Sequence, residues 1–193
     1  MPLPKILVLS GSIRKRSHNT RLAALAAKEL TLADANVSRI SLVDYPLPLY
    51  DADQDLVSGP PPNALKLKQM MAAHHGIFIA SPEYNASITP LLKNTIDWVS
   101  RVRERGEPPY AAYRGRVFAL GAASTDALGG VRGLLTLRQV LELGCGALVV
   151  PEQIAVGNAE HAFDEMDNLK DPRHSAALKV LVRRLIDMAQ QVS

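Results

Sequence analysis

Cysteine is almost absent: Cys145, set between two glycines, is the only one in 193 residues. It has no partner for an internal disulfide, so a stapled secreted scaffold is excluded and a cytoplasmic location is the expectation. Aromatic residues make up only 5% of the chain, and none interleave with basic ones as they do in nucleic-acid binders. Long apolar runs are missing too. Runs such as GIFIA (76–80) and ALVV (147–150) fall far short of a membrane span. The opening MPLPKILVLSGS has no charged leader region and no small-residue cleavage site, so a strand is expected there rather than a signal peptide. Charge is barely one-sided, with 22 Lys+Arg against 19 Asp+Glu. The basic residues are scattered, so neither nucleic acid nor a membrane is expected as a partner. Two clusters, Arg14-Lys15-Arg16 and Arg101 to Arg105, suit a phosphorylated small molecule.

Hydrophobic residues account for 47% of the chain, enough at this length for one sizeable core and a single domain over residues 1–193. KILVLS (5–10) is apolar without helical period and reads as a buried strand. A helix follows from His18 to Leu30, with Leu22, Leu25, Ala26 and Leu30 on one face. SRISL (38–42) reads as a second strand, and Asp44 to Pro62, rich in proline and acid, as one long loop. Asn63 is expected to cap a helix running through His74. GIFIA is the third strand; Thr89-Pro90 starts a helix with Thr as N-cap and Pro at N1. Lys93 and Asp97 are spaced for an i,i+4 pair on it. RVFALGAAS (116–124) is strand four. Gly129-Gly130 leads into a helix ending at Gly144, GALVVP (146–151) is strand five, and Arg173 to Gln190 closes the chain as a helix.

Strands that alternate with helices cannot pair as hairpins, so the fold class is α/β, a parallel sheet between two helical layers. Ligands of such sheets bind outside the carboxyl ends of the strands. The loops there are SGSIRKRSHNT (10–20), SPEYNAS (81–87) and AASTDALGG (122–130). The first carries Ser10, Ser12, Ser17 and Thr20, together with Asn19 and Arg14, immediately before a helix N-terminus. Free N–H groups and the helix dipole favour an anion at that place, and Arg14 can bond a phosphate through its fork. The loop is neither a Walker A sequence nor a GxGxxG fingerprint. A plain polar loop with solvated cations is the competing reading.

The pattern Gly11-Ser12-x-Arg14-x-x-Ser17-x-Asn19, with Pro82-Glu83-Tyr84-Asn85 after strand three and the helix LLKNTIDWVSR (91–101), resembles the NADPH-dependent FMN reductase family. The resemblance runs from Lys5 to about Val156. It implies a flavodoxin-like sandwich with five parallel strands in the order 2-1-3-4-5. It also implies bound FMN, and NADPH (or NADH) as co-substrate with a quinone, azo dye, chromate or free flavin as the small electron acceptor. On the family pattern Ser10, Ser12, Arg14, Ser17, Asn19 and Thr20 belong to the phosphate loop. Main-chain groups of Glu83, Tyr84 and Asn85, stiffened by Pro82, face the ring edge, and Ser124 faces its pyrimidine end. A homodimer or homotetramer is implied as well. Arg14, Arg16 and Arg101 are the cations nearest to hand for an NADPH preference.

Other readings stand beside these. Glu83 as a general acid lacks a carboxylate or histidine at a telling spacing. Tyr84 covers a ring face or merely packs. Asp126 is a site acid or a turn residue, and Trp98 is core or subunit contact. His74 and His75 suit a helix end better than a metal, His161 and His174 lack ligand spacing, and no serine has a GxSxG setting. A reductase of this kind needs no catalytic side chain. The alternative is an electron carrier without NAD(P)H turnover, against which the absence of an acidic cluster in the loops speaks.

Overall fold

The computed structural model describes residues 3–192; Met1, Pro2 and Ser193, which the leader and domain expectations include, lie outside them. Five strands form one parallel sheet, ordered β2-β1-β3-β4-β5. They are β1 (Lys5–Ser10), β2 (Asn36–Arg39), β3 (Gly76–Ala80), β4 (Val117–Ala123) and β5 (Leu148–Val156). The helices are α1 (His18–Leu32), α2 (Ala52–Ser58), α3 (Pro62–Ala72), α4 (Pro90–Arg101), α5 (Val131–Gln139) and α6 (Pro172–Gln191). The flavodoxin-like architecture and strand order expected from the resemblance are therefore present.

Alternation along the strands sorts the core into two layers, because successive side chains leave opposite faces of a sheet. Ile6 and Val8 join Phe78, Leu22, Leu30, Leu181 and Leu185 under α1 and α6. Leu7 and Leu9 join Ile77, Ile79, Leu92, Ile96, Leu134 and Leu137 under the helices of the other face. α4 begins as expected: Thr89 accepts from the Leu92 N–H at 3.2 Å, and Lys93 reaches Asp97 at 2.8 Å. Trp98 is core; its indole donates to the Pro48 carbonyl at 2.7 Å and meets Tyr50 edge-on.

Several boundaries differ from expectation. β2 lies two to three residues earlier than SRISL, since Ser41 caps a 3-10 turn at Leu42–Asp44 and turns the chain out of the sheet. The long loop contains α2, capped by Asp51 with Asp53 and Asp55 in its first turn, where acids complement the dipole. α2 buries no residue, so it has no apolar period to announce it. Asn63 does not cap α3; Pro61 holds that position, and the Asn63 amide donates to the Pro46 carbonyl at 2.9 Å. α5 runs on through a wider π-type turn, Val140–Gly144, and the left-handed glycine after it is Gly146 rather than Gly144. β5 continues past Pro151 to Val156. It lies at the sheet edge, and its register shifts between the partners of Phe118 and Leu120, which gives the proline a bulge to sit in.

The polar segment at 157–172 is packed rather than loose. Ala159, Phe163 and Leu169 enter the core, and the Arg21 guanidinium lies 4.5 Å from the Phe163 ring centre.

Candidate cofactor site

The first loop leaves β1 at Ser10 and is held at its start by its neighbours. The Gly11 N–H donates to the Ala80 carbonyl at 2.9 Å, and the Thr89 hydroxyl donates to the Gly11 carbonyl at 2.8 Å. A side chain at residue 11 would meet Leu92 at 3.1 Å, so glycine is what lets this loop lie against α4. Beyond it, Ser12 Oγ accepts from the Arg14 N–H, and Arg16 takes a left-handed φ of 59° before the chain enters α1.

That helix starts bare. Ser17 stands at its N-cap without a side-chain cap bond, and no acid lies in its first turn. The Arg14, Lys15 and Arg16 side chains are exposed and make no ion pair among the described residues. His18 Nδ1 is buried without a partner. Burial first, then the positive charges of Arg14 and Arg21, pulls the His18 pKa down against a smaller opposing pull from Glu160. Unused N–H groups and unpaired cations together favour an anion here.

Asn19 is placed differently from a free phosphate donor. Its amide donates to the Ala123 carbonyl at 2.8 Å and accepts from the Ala123 N–H at 2.9 Å, both buried. The side chain thus pins the start of α1 to the end of β4.

The second loop is a tight hairpin. Tyr84 and Ser87 exchange main-chain bonds at 2.9 and 3.0 Å, and Asn85 and Ala86 take φ of 50° and 61°. Two consecutive left-handed residues make a type I′ turn, for which Asn is suited. The turn uses both main-chain groups of Tyr84, whose side chain stands half exposed. Glu83 points back from this loop. Its carboxylate accepts from the Gly133 N–H at 2.9 Å and from Arg132 Nε at 2.7 Å, at the N-terminus of α5. Arg132 is held by this pair across 49 residues of chain.

The third loop is built around Asp126, which accepts from the Leu128 N–H at 2.7 Å and so acts as a turn residue. A Cβ at Gly129 would come within 2.8 Å of the main chain at 155–157, so the loop and the end of β5 touch closely. Arg101 stands elsewhere, paired with Asp55 at 2.7 Å.

The three loops enclose a cavity of ≈ 180 Å³. Ser12, Arg14, Ser17, Asn19, Pro82, Glu83, Tyr84 and Ser124 of the expected set line it, joined by His18 and Thr125. Asn85 lies on the hairpin tip outside that lining, and Ser10 and Thr20 face a separate cavity that shares Ser12. His18 and the Glu83–Arg132 pair escaped the sequence reading. His18 had a signal, its place at the first turn of α1; the pair spans 49 residues and had none.

The arrangement defines a class: a doubly wound domain with an anion-ready helix start beside a stiff, flat-topped hairpin. The model of the NADPH-dependent FMN reductase family matches residues 4–161, and the chain belongs to that family. It is accordingly an oxidoreductase that uses FMN and NAD(P)H. An NAD(P)H-dependent FMN reductase of Pseudomonas aeruginosa is 34% identical over 190 residues, covering 94% of this chain and 96% of that one. A quinone reductase of Escherichia coli (strain K12) is 35% identical over 138 residues, 71% of this chain and 69% of that one. Among solved structures, the flavoenzyme NAD(P)H:(acceptor) oxidoreductase FerB of Paracoccus denitrificans superposes with a TM-score of 0.79 at 24% identity, covering 98% of each chain. The last likeness speaks for the fold alone.

Proposed function

We propose that residues 1–193 act as one FMN-binding domain with FMN seated in the three-loop cavity, its phosphate at the start of α1 and its ring along the Pro82–Tyr84 hairpin. When bound, FMN supplies the redox chemistry, taking hydride from NADPH and then passing electrons to a quinone, azo dye, chromate or free flavin in ping-pong order. Arg14, the Ser12 and Ser17 hydroxyls and the free α1 N–H groups hold the phosphate. Glu83 keeps its main-chain groups for the ring edge, since Tyr84 has spent its own in the turn and Asn85 lies outside the cavity. Ser124 and Thr125 offer hydroxyls at the opposite wall. No side chain in the cavity has to move a proton for this role. Cys145 takes no part: it is buried in the core outside the cavity lining, and burial pushes its thiol up to about 11.

The observation that carries the reading is the bare, cation-flanked start of α1 opening into the same cavity as the hairpin. Kinship to the quinone reductase of Escherichia coli supports a quinone among the acceptors. A homodimer or homotetramer belongs to the same proposal. Leu49, Leu56 and Val57 stand exposed around α2, an apolar surface that a second copy can cover. Initial rates with NADPH and a quinone varied together test the mechanism: double-reciprocal lines should run parallel, and intersecting lines would remove the ping-pong order.

A further inference from the structure

The cavity that Ser10 and Thr20 face lies on the β2 side of the first loop and measures ≈ 400 Å³. It is polar and built from several elements. Ser10 comes from the end of β1, Thr20 from the first turns of α1, Arg39 from the last position of β2, and Ser41 and Asp44 from the turn that follows. Three features show that these groups are not consumed by the fold. Ser10 is buried, and its hydroxyl has no hydrogen-bond partner. The Arg39 guanidinium and the Asp44 carboxylate are exposed, and neither enters an ion pair or a side-chain hydrogen bond among the described residues.

A cation and a carboxylate that share a cavity without pairing suit a ligand carrying both an anion and hydroxyl groups. Position sharpens this. In doubly wound dinucleotide sites, the residue that reads a ribose stands at the end of the strand beside β1: an acid bonds the hydroxyls, and an arginine takes a 2′-phosphate. Here that strand is β2, and it delivers Arg39 and, five residues on, Asp44 to one cavity. Ser12 lines both this cavity and the three-loop cavity, so a molecule held here lies beside one held there.

We propose that this second cavity binds phosphorylated ribose, and in this enzyme the 2′-phosphoadenosine end of NADPH. Arg39 pairs with the 2′-phosphate, Asp44 accepts from ribose hydroxyls, and the Ser10 and Ser41 hydroxyls complete the donor set. The assignment to NADPH rests on the FMN reading above; the phosphoribose site itself does not.

The test is calorimetric titration of the FMN-loaded protein with 2′,5′-ADP, with 5′-AMP and with inorganic phosphate, repeated on Arg39→Ala and Asp44→Asn. Loading with FMN fills the first cavity, so that Arg14 and its neighbours are not read by mistake. The proposal expects 2′,5′-ADP to bind at least tenfold tighter than 5′-AMP, and Arg39→Ala to lower its affinity at least tenfold. Asp44→Asn should weaken it severalfold, and KM for NADPH should rise in Arg39→Ala relative to KM for NADH. Equal binding of 2′,5′-ADP by wild type and Arg39→Ala, displacement of it by equimolar phosphate, or no binding at all would each overturn the proposal. Protein that takes up no FMN but still binds 2′,5′-ADP through Arg39 would instead sink the FMN reading and leave the phosphoribose site standing.

Discussion

The Glu83 carboxylate accepts a hydrogen bond from the Gly133 N–H at 2.9 Å, joining the hairpin after β3 to the first turn of α5. The N-cap of α5, Gly130, has no side chain to offer, so Glu83 supplies the cap from another loop. A side chain at Gly133 would come within 3.2 Å of Glu83 Cβ, so the glycine admits the close approach. A residue that looks like a candidate acid in sequence is thereby a fastener of the shelf.

Replacing Glu83 with alanine is expected to remove the cap and the Arg132 pair together. A lost cap costs about 1–2 kcal/mol, which denaturant unfolding of the flavin-free protein should show as a lower midpoint at unchanged slope. FMN affinity should fall as well, because the hairpin loses its anchor. Glu83→Gln retains an oxygen for the Gly133 N–H and should recover most of the stability.

Arg14→Ala is the opposite kind of change. The exposed guanidinium enters no ion pair or side-chain hydrogen bond among the described residues, so unfolding at neutral pH should be unaltered. Loss of one charge-assisted hydrogen bond to a phosphate is worth about 1.5–3 kcal/mol, roughly a ten- to hundredfold weaker FMN dissociation constant by fluorescence titration. A variant that binds FMN as wild type would remove Arg14 from the site.

Asn19→Ala separates structure from ligand. It strands the buried N–H and carbonyl of Ala123, at about 1–3 kcal/mol for each unsatisfied group. Stability should drop before FMN is added, whereas a role confined to the phosphate would leave the flavin-free protein unchanged. At the hairpin tip, Asn85→Gly should be tolerated. Asn85→Ala should cost about 1 kcal/mol, because a second alanine would then sit at positive φ beside Ala86.

His18 sets a pH dependence. Its folded pKa lies below its ordinary value of 6.5, first through burial and then through Arg14 and Arg21, with Glu160 opposing. The unfolded chain therefore binds the proton more readily than the folded one between those two values. Stability supplied by neutral His18 is complete above pH 6.5 and drains away as the pH falls through the folded pKa. Flavin-free protein should lose stability on acidification from 6.5, and His18→Gln should flatten that part of the profile. FMN phosphate beside the imidazole should oppose the shift, so binding near pH 6 should take up protons.

What the sequence disclosed was what has a period or a local signature. β1, β3 and β4 are continuous apolar runs, α1 and α6 have clear apolar faces, and Thr89-Pro90 is a local start signal. α2 was hidden because it buries nothing, and β5 was cut short at Pro151 because an edge bulge cannot be foreseen from a proline alone. In the site, loop identity was legible, but the division of labour inside it was not. Whether Asn19 faces a ligand or Ala123, 104 residues away, depends on packing that no local pattern records. The same holds for Glu83, and for Ser10 and Thr20 turning to a different cavity from Arg14.

The most direct test of the central claim is the visible spectrum of FMN-loaded protein titrated with NADPH without oxygen, then with a quinone. The account predicts oxidised-flavin bands that bleach with NADPH and return with the quinone, at one equivalent of each. Bands that persist after NADPH would mean a carrier rather than a reductase, and protein that takes up no FMN would contradict the seating of the cofactor between the α1 start and the Pro82–Tyr84 hairpin.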